Sequence, residues 1–94
     1  MFMKIEIFDI NINNQTIKFK RPFIFFAYKK HSLYYIDDNF VWIHEIAESI
    51  KELKSKIKEE LEIQWEDIVL EDDRNLNIDA KILKKYMLNH TIKS

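Results

Sequence analysis

Three histidines and a few paired carboxylates are the side chains here equipped for acid–base or metal chemistry. His31 falls in a turn, His44 in a strand and His90 in the last segment, and no two share a metal-ligand spacing. His44-Glu45 and Glu48 precede a helix cap and include a single His, so they do not form a zinc-binding helix motif. His44 is expected to be partly buried, as a hydrogen-bonded structural residue. Asp37-Asp38 and Asp72-Asp73 sit among turn-forming residues and lack the ligand register of a calcium loop. No spacing holds an acid and a base together for hydrolysis. The chain has no Cys and no Gly. Thiolate chemistry, disulfides, phosphate-binding loops, dinucleotide fingerprints and nucleophile elbows are thereby excluded. The expectation is a protein that is not an enzyme and carries no metal or cofactor.

Charge is placed unevenly. Net charge is 15 − 16 = −1, which gives no global pull toward nucleic acid or anionic membrane. The stretch from 59 to 73 nevertheless holds Glu59, Glu60, Glu62, Glu66, Asp67, Glu71, Asp72 and Asp73 and no base. That run reads either as a solvated helix face or as a surface that docks a small basic protein. Between 18 and 30 lie Lys18, Lys20, Arg21, Lys29 and Lys30 and no acid. Lys18, Lys20 and Arg21 beside Phe26 and Tyr28 give a second reading, a sheet that binds single-stranded nucleic acid by stacking bases on rings. That chemistry needs exposed rings. The unbroken run Phe23-Ile24-Phe25-Phe26-Ala27 points more to a strand covered on both faces, or else covered on one face and used for binding on the other.

The elements that must position these residues follow from periodicity. Met3, Ile5 and Ile7 alternate with Lys4 and Glu6, with Phe2 and Phe8 on the second face, giving a strand over about 2–10. Asn11–Gln15 turns. Ile17 and Phe19 mark a second strand, and Pro22 a break or an edge. Strands follow over 23–28, over Leu33–Ile36 and over Phe40–Ala47, with turns at Lys29–Ser32 and Asp37–Asn39. Ser49-Ile50-Lys51-Glu52 fits a capping box. Ile50, Leu53, Ile57, Leu61, Trp65 and Ile68 then share one face of a helix over about 50–67. Asn77 caps a second helix to about Leu88, with Ile82, Leu83, Tyr86 and Met87 inward and Lys81, Lys84 and Lys85 outward. The tail from Asn89 is expected to fray.

At 94 residues, 47% hydrophobic and 14% aromatic, the chain reads as one α+β domain over 1–94. An antiparallel sheet of about five strands, a hairpin plus a three-stranded meander, would carry the long helix on a face and the short C-terminal helix beside it. No apolar run reaches the ~20 residues of a membrane helix. Met1-Phe2-Met3-Lys4 opens straight into alternation, so no signal peptide is expected and a cytoplasmic location is.

The order of short strands, then a strand running into Ala47-Glu48-Ser49-Ile50-Lys51-Glu52-Leu53, then an amphipathic helix, resembles the HicB-like antitoxin family over roughly residues 23–70. The best local match is the acid–hydroxyl helix entry at Glu48-Ser49. The resemblance implies a truncated ribonuclease-H-like fold without catalytic carboxylates, in a non-enzymatic protein that binds a protein partner or itself. Residues 71–94 hold one short helix, too little for a helix-turn-helix module. A structural homodimer joined through strand edges or faces is the remaining reading.

Overall fold

A computed structural model of the chain describes residues 2–91. β1 (Phe2–Ile12), β2 (Gln15–Lys30), β3 (Leu33–Asp38) and β4 (Ile43–Ala47) form a 4-stranded antiparallel sheet in the order β1-β2-β3-β4. Helix α1 (Ile50–Gln64) follows, passes into a π turn (Trp65–Val69) and a 3-10 turn (Asp73–Asn75), and helix α2 (Ile78–Leu88) comes after them.

The sheet has one strand fewer than expected because β2 runs straight through Pro22. Phe2–Ile7 of β1 pair with Tyr28–Phe23, and Asp9–Ile12 pair with Lys18–Gln15, with a register slip between Ile7 and Asp9. Residues 19–22 lie opposite that slip, between the two paired stretches. A proline there removes no sheet hydrogen bond. The neighbouring amides of Lys20 and Arg21 turn elsewhere and donate to the His90 carbonyl at 2.8 and 3.3 Å. The hairpin and the meander are thus one four-stranded meander.

Turns without glycine force other residues to positive φ. Asn13 and Asn14 (52° and 65°) connect β1 to β2, and His31 and Ser32 (51° and 65°) connect β2 to β3. Two left-handed residues in a row match the twist of a hairpin. Trp42 also has φ 59°. It closes a turn in which the Asp38 carboxylate accepts from the Phe40 and Val41 amides at 2.8 and 3.1 Å. That turn occupies residues expected in the last strand, so β4 starts at Ile43 rather than Phe40.

One face of the sheet is sealed. Ile5, Ile7, Phe23, Phe25, Ala27, Ile36, Ile43 and Ala47 form a single core with Leu53, Ile57, Leu61 and Trp65. Half of the expected capping box forms: Ser49 Oγ accepts from the Glu52 amide at 3.1 Å. The Glu52 carboxylate pairs with Lys56 Nζ at 3.5 Å, one turn on. The α-helix ends at Gln64, short of 67, and widens so that the Leu70 amide donates to the Trp65 carbonyl at 3.0 Å. The wide turn lets the adjacent Ile68 and Val69 both be buried.

Helix α2 packs on that π turn, not beside α1. Its cap is the expected one, Asn77 Oδ1 accepting from the Ala80 amide at 2.8 Å. Its buried stripe is Ala80, Leu83 and Met87, with Tyr86 half-buried, whereas Ile82, expected in the core, is exposed. Lys84 is not a solvent lysine. Its ammonium donates to the Glu71 carbonyl and to Asp73 Oδ1, both at 2.7 Å. The expected fraying from Asn89 does not occur through Thr91. His90 is buried and the Thr91 amide donates to the Leu88 carbonyl at 2.9 Å. Residues 92–94 of that tail lie outside the described residues.

Ser32 tests the turn argument. Left-handed backbone costs a residue with a Cβ about 1–2 kcal/mol, and glycine almost nothing, against a larger loss of chain entropy. Ser32→Gly is expected to raise unfolding free energy by roughly 0.5–1 kcal/mol in urea denaturation. An unchanged or lower midpoint contradicts it.

Candidate interaction surface

The helices lie on one side of the sheet, and strand alternation sends every second residue to the other. One cross-strand row spans the whole width of that open side. Phe2 pairs with Tyr28, Tyr28 with Tyr35, and Tyr35 with Ile46. The Phe2 and Tyr28 rings meet edge to face at 6.3 Å between centroids, and Tyr28 stacks on Tyr35 at 5.4 Å. The next rows add Lys4 opposite Phe26 and Glu6 opposite Ile24. Phe2 (70% exposed), Phe26 (58%) and Ile46 (49%) stand out into solvent, with Ile24 and Phe8 exposed as well. β2 is therefore not buried on both faces: Phe23, Phe25 and Ala27 are inside, while Ile24 and Phe26 are outside.

The charges on this face include Lys4, Glu6, Asp37, His44 and, two residues on from Tyr28, Lys30. Lys4 Nζ lies 3.9 Å from Glu6. Asp37 accepts the Tyr28 hydroxyl at 2.9 Å and lies 3.0 Å from His44 Nδ1. The His44 and Tyr28 hydrogen bonds hold the Asp37 carboxyl below its ordinary range, and the carboxylate pushes the Tyr28 phenol up. This chain of groups is open to water. His44 is thus an exposed surface residue, contrary to expectation. Beside it, Tyr35, Asp37, His44, Ile46 and Lys56 border an open groove of about 410 Å³ at the β4 edge. Lys56 Nζ donates to the Ile46 carbonyl at 2.7 Å and so blocks part of that edge against strand addition.

The residues considered for nucleic-acid binding are only partly brought together. Phe26 and Tyr28 share the open face. Lys18, Lys20 and Arg21 are exposed, but they lie in or next to the distorted segment of β2. The acids of 59–73 are also divided. Glu62 accepts the Asn11 amide at 2.7 Å, tying α1 to β1. Glu71 accepts from the Asp72 amide and from Asn75, Asp72 from Arg74, and Asp73 from Lys84. These bonds hold the Glu71 and Asp72 carboxyls below their ordinary range. Glu60 is half-buried beside Glu45, and Glu59, Glu66 and Asp67 are exposed.

A second apolar spot is smaller. Asn39, Phe40, Trp42, Asp79 and Ile82 line a shallow groove of about 190 Å³ between the turn before β4 and α2. The described residues hold no group of three or more His, Cys, Asp or Glu placed to bind a metal ion. No helix among them is long and apolar enough to cross a membrane. Comparison with protein-family models, with curated proteins and with solved structures finds no match to this chain.

Two titrating groups lie off the open face and bear on stability. Burial lowers the His90 pKa, against the pull of the Tyr86 carbonyl that accepts from its ring, and Arg21 lowers it further. The ring stacks on Phe23 at 3.8 Å between centroids. Below its unfolded value of about 6.5 the unfolded chain takes a proton that the folded one resists, so acidification costs stability. Glu45 works in the opposite sense. Burial and then the Glu60 carboxylate raise its pKa, against Lys56. Its effect is full at low pH and is lost as pH rises above the ordinary carboxylate range. Thermal melts between pH 7.5 and 5.5 should show the midpoint falling on acidification, and the His90→Phe variant should lose that slope. Glu45→Gln should raise the midpoint at pH 7 by about 1–2 °C and leave it unchanged near pH 4. An identical slope in the His90 variant contradicts the first assignment.

Proposed function

We propose that this chain is a non-catalytic protein-binding module whose contact surface is the open face of the sheet. The observation that carries the reading is the row Phe2, Tyr28, Tyr35 and Ile46, with Phe26, Ile24 and Phe8 around it, on a face that no other element among the described residues covers. Isolated exposed apolar residues are ordinary, but a contiguous patch rimmed by polar groups marks a contact site. Aromatic side chains give the most contact energy per residue at such sites. The occupant this face selects is a protein surface rich in apolar side chains. The resemblance to HicB-like antitoxins over residues 23–70 supports the same class, a binding protein without catalytic carboxylates. In that reading Glu59, Glu66 and Asp67, exposed on the far end of α1 and its π turn, would orient a small basic partner rather than hold it.

One observation favours a second reading. The Phe26 ring is exposed and Tyr28 is beside it, which is what base stacking on a sheet requires. Against it, a single-strand binding face needs a continuous basic track, and of the lysines on this face Lys4 is paired with Glu6 while Lys30 lies at the far end of β2.

The test is partner recovery from the native cell with three baits, the wild type, Phe26→Asp, and Glu59→Lys with Glu66→Lys, each checked for folding by circular dichroism. The expected result is recovery lost, by about tenfold or more, in Phe26→Asp and reduced only modestly in the acid-reversed bait. Recovery unaffected by Phe26→Asp refutes the face. Salt-sensitive binding of the purified protein to labelled single-stranded oligonucleotides, weakened by Phe26→Ala, would establish the second reading in its place.

A further inference from the structure

We propose that β1 pairs edge to edge with β1 of a second copy of this chain, antiparallel and centred on Ile5, so that two sheets continue into one. The surface is the outer edge of the sheet, not its open face, and the inference stands or falls separately from the preceding reading.

The first observation is where the edge is covered. β1 is a terminal strand of the sheet, so alternate backbone amides and carbonyls point away from β2. Helix α1 guards only the later part of that edge. Glu62 accepts the Asn11 amide at 2.7 Å, and Lys58 Nζ lies 2.9 Å from Asp9. At the β4 edge Lys56 Nζ holds the Ile46 carbonyl. Along residues 3–7 of β1, no group among the described residues bonds to the outer side of the strand.

The second observation is the register that the charges select. Directly opposite residues of an antiparallel ladder point to the same face, so a twofold pairing of β1 with itself is centred on a residue. Centring on Ile5 sets Lys4 against Glu6 of the second copy, and Glu6 against its Lys4. It also sets Met3 against Ile7, and Phe2 against Phe8. Centring on Lys4 would set two lysines face to face, and centring on Glu6 two glutamates, both destabilising. A centre on Met3 shortens the ladder, and one on Ile7 runs it into residues 9–11, which α1 covers.

A lysine on an edge strand ordinarily deters pairing. Here Glu6, on the same face, turns that deterrent into a choice of register. Within one chain Lys4 Nζ lies 3.9 Å from Glu6, and in the pair the four charges alternate in sign. The exposed Phe2 and Phe8 rings cover one another at the two ends. The contact is short, and its main-chain hydrogen bonds make it a weak pair rather than an interface of standard size.

Sedimentation equilibrium of the purified full chain should show a monomer–dimer equilibrium with a dissociation constant on the order of 100 µM. Lys4→Glu and Glu6→Lys, each checked by circular dichroism, should raise that constant about tenfold or more. The double variant, Lys4→Glu with Glu6→Lys, restores both cross-pairs and should return to within about threefold of the wild type. A partner strand of different sequence would not follow that exchange. The chain has no cysteine, which allows a second measurement independent of charge. Equal mixtures of Phe2→Cys and Phe8→Cys chains, oxidised mildly, should give the mixed disulfide in excess over either like pair.

A wild type that stays monomeric at about 1 mM overturns the proposal. So does a dimer that the single reversals leave intact or the double variant fails to recover, and so does preferential linkage of like pairs. A monomer that loses its cellular partner on Phe26→Asp refutes the edge pairing and leaves the open face standing. A dimer that passes the charge exchange while partner recovery ignores Phe26→Asp supports the pairing and refutes the open face.

Discussion

Burial of Leu53, Ile57 and Leu61 in one core with Phe25, Ile36 and Ile43 decides what the rest of the chain can do. An amphipathic helix and a sheet each need one covered face. Once α1 lies on the sheet, both needs are met at the same interface. The remainder of the chain is committed as well. The π turn buries Trp65, Ile68 and Val69, and α2 packs on that turn through Ala80, Leu83 and Met87. Among the described residues no further element remains to cover the opposite face. A two-layer domain of this kind can leave its outer face polar, and here it is aromatic. The exposed rings are therefore a departure from what the fold alone requires, and that gives them functional weight.

The distorted middle of β2 shows how a local defect was absorbed. Pro22 has no amide to give, and the β1 ladder slips beside it. The Lys20 and Arg21 amides would otherwise be left over. A single carbonyl, that of His90, accepts both. Its ring meanwhile stacks on Phe23 and hydrogen-bonds the Tyr86 carbonyl, closing the end of α2. One residue thus ties the last turn of the chain to the second strand. Its neutrality matters because a charged imidazole stacked on Phe23 would be poorly solvated. No buried side-chain nitrogen or oxygen among the described residues lacks a hydrogen-bond partner.

What the sequence made legible was local chemistry. Ser49 and Asn77 were recognisable as caps because their hydroxyl and amide oxygens sit three residues before the amides they satisfy. The α1 stripe Leu53–Ile57–Leu61 was legible because its period is that of a helix. Facts set by distant parts of the chain were not. Nothing near Pro22 reveals that β1 slips opposite it, so one strand read as two. Nothing near His90 reveals that the second strand needs an acceptor there, so a buried residue read as part of a loose tail. The run 23–27 is apolar at every position, and an apolar run has no period with which to announce its wet face. Phe26 and Ile24 became visible as surface only once the layers were known.

The acidic stretch illustrates the same separation of composition from role. Counted as charge, residues 59–73 look like a docking surface. Placed in space, Glu62 anchors α1 to the Asn11 amide, while Glu71, Asp72 and Asp73 cap and brace the loop into α2, with Lys84 drawn in to meet them. Glu71 and Asp72 each accept two hydrogen bonds already and have less to offer a partner, because a new contact must replace bonds that exist. The open face is different in this respect. Phe2, Ile24, Phe26 and Ile46 have only water to lose, and removing apolar surface from water is favourable at about 25 cal/mol per Å² before the costs of association. Apolar area is therefore available for contact where the sheet is bare, whereas Glu71, Asp72 and Asp73 are engaged in the loop that carries them.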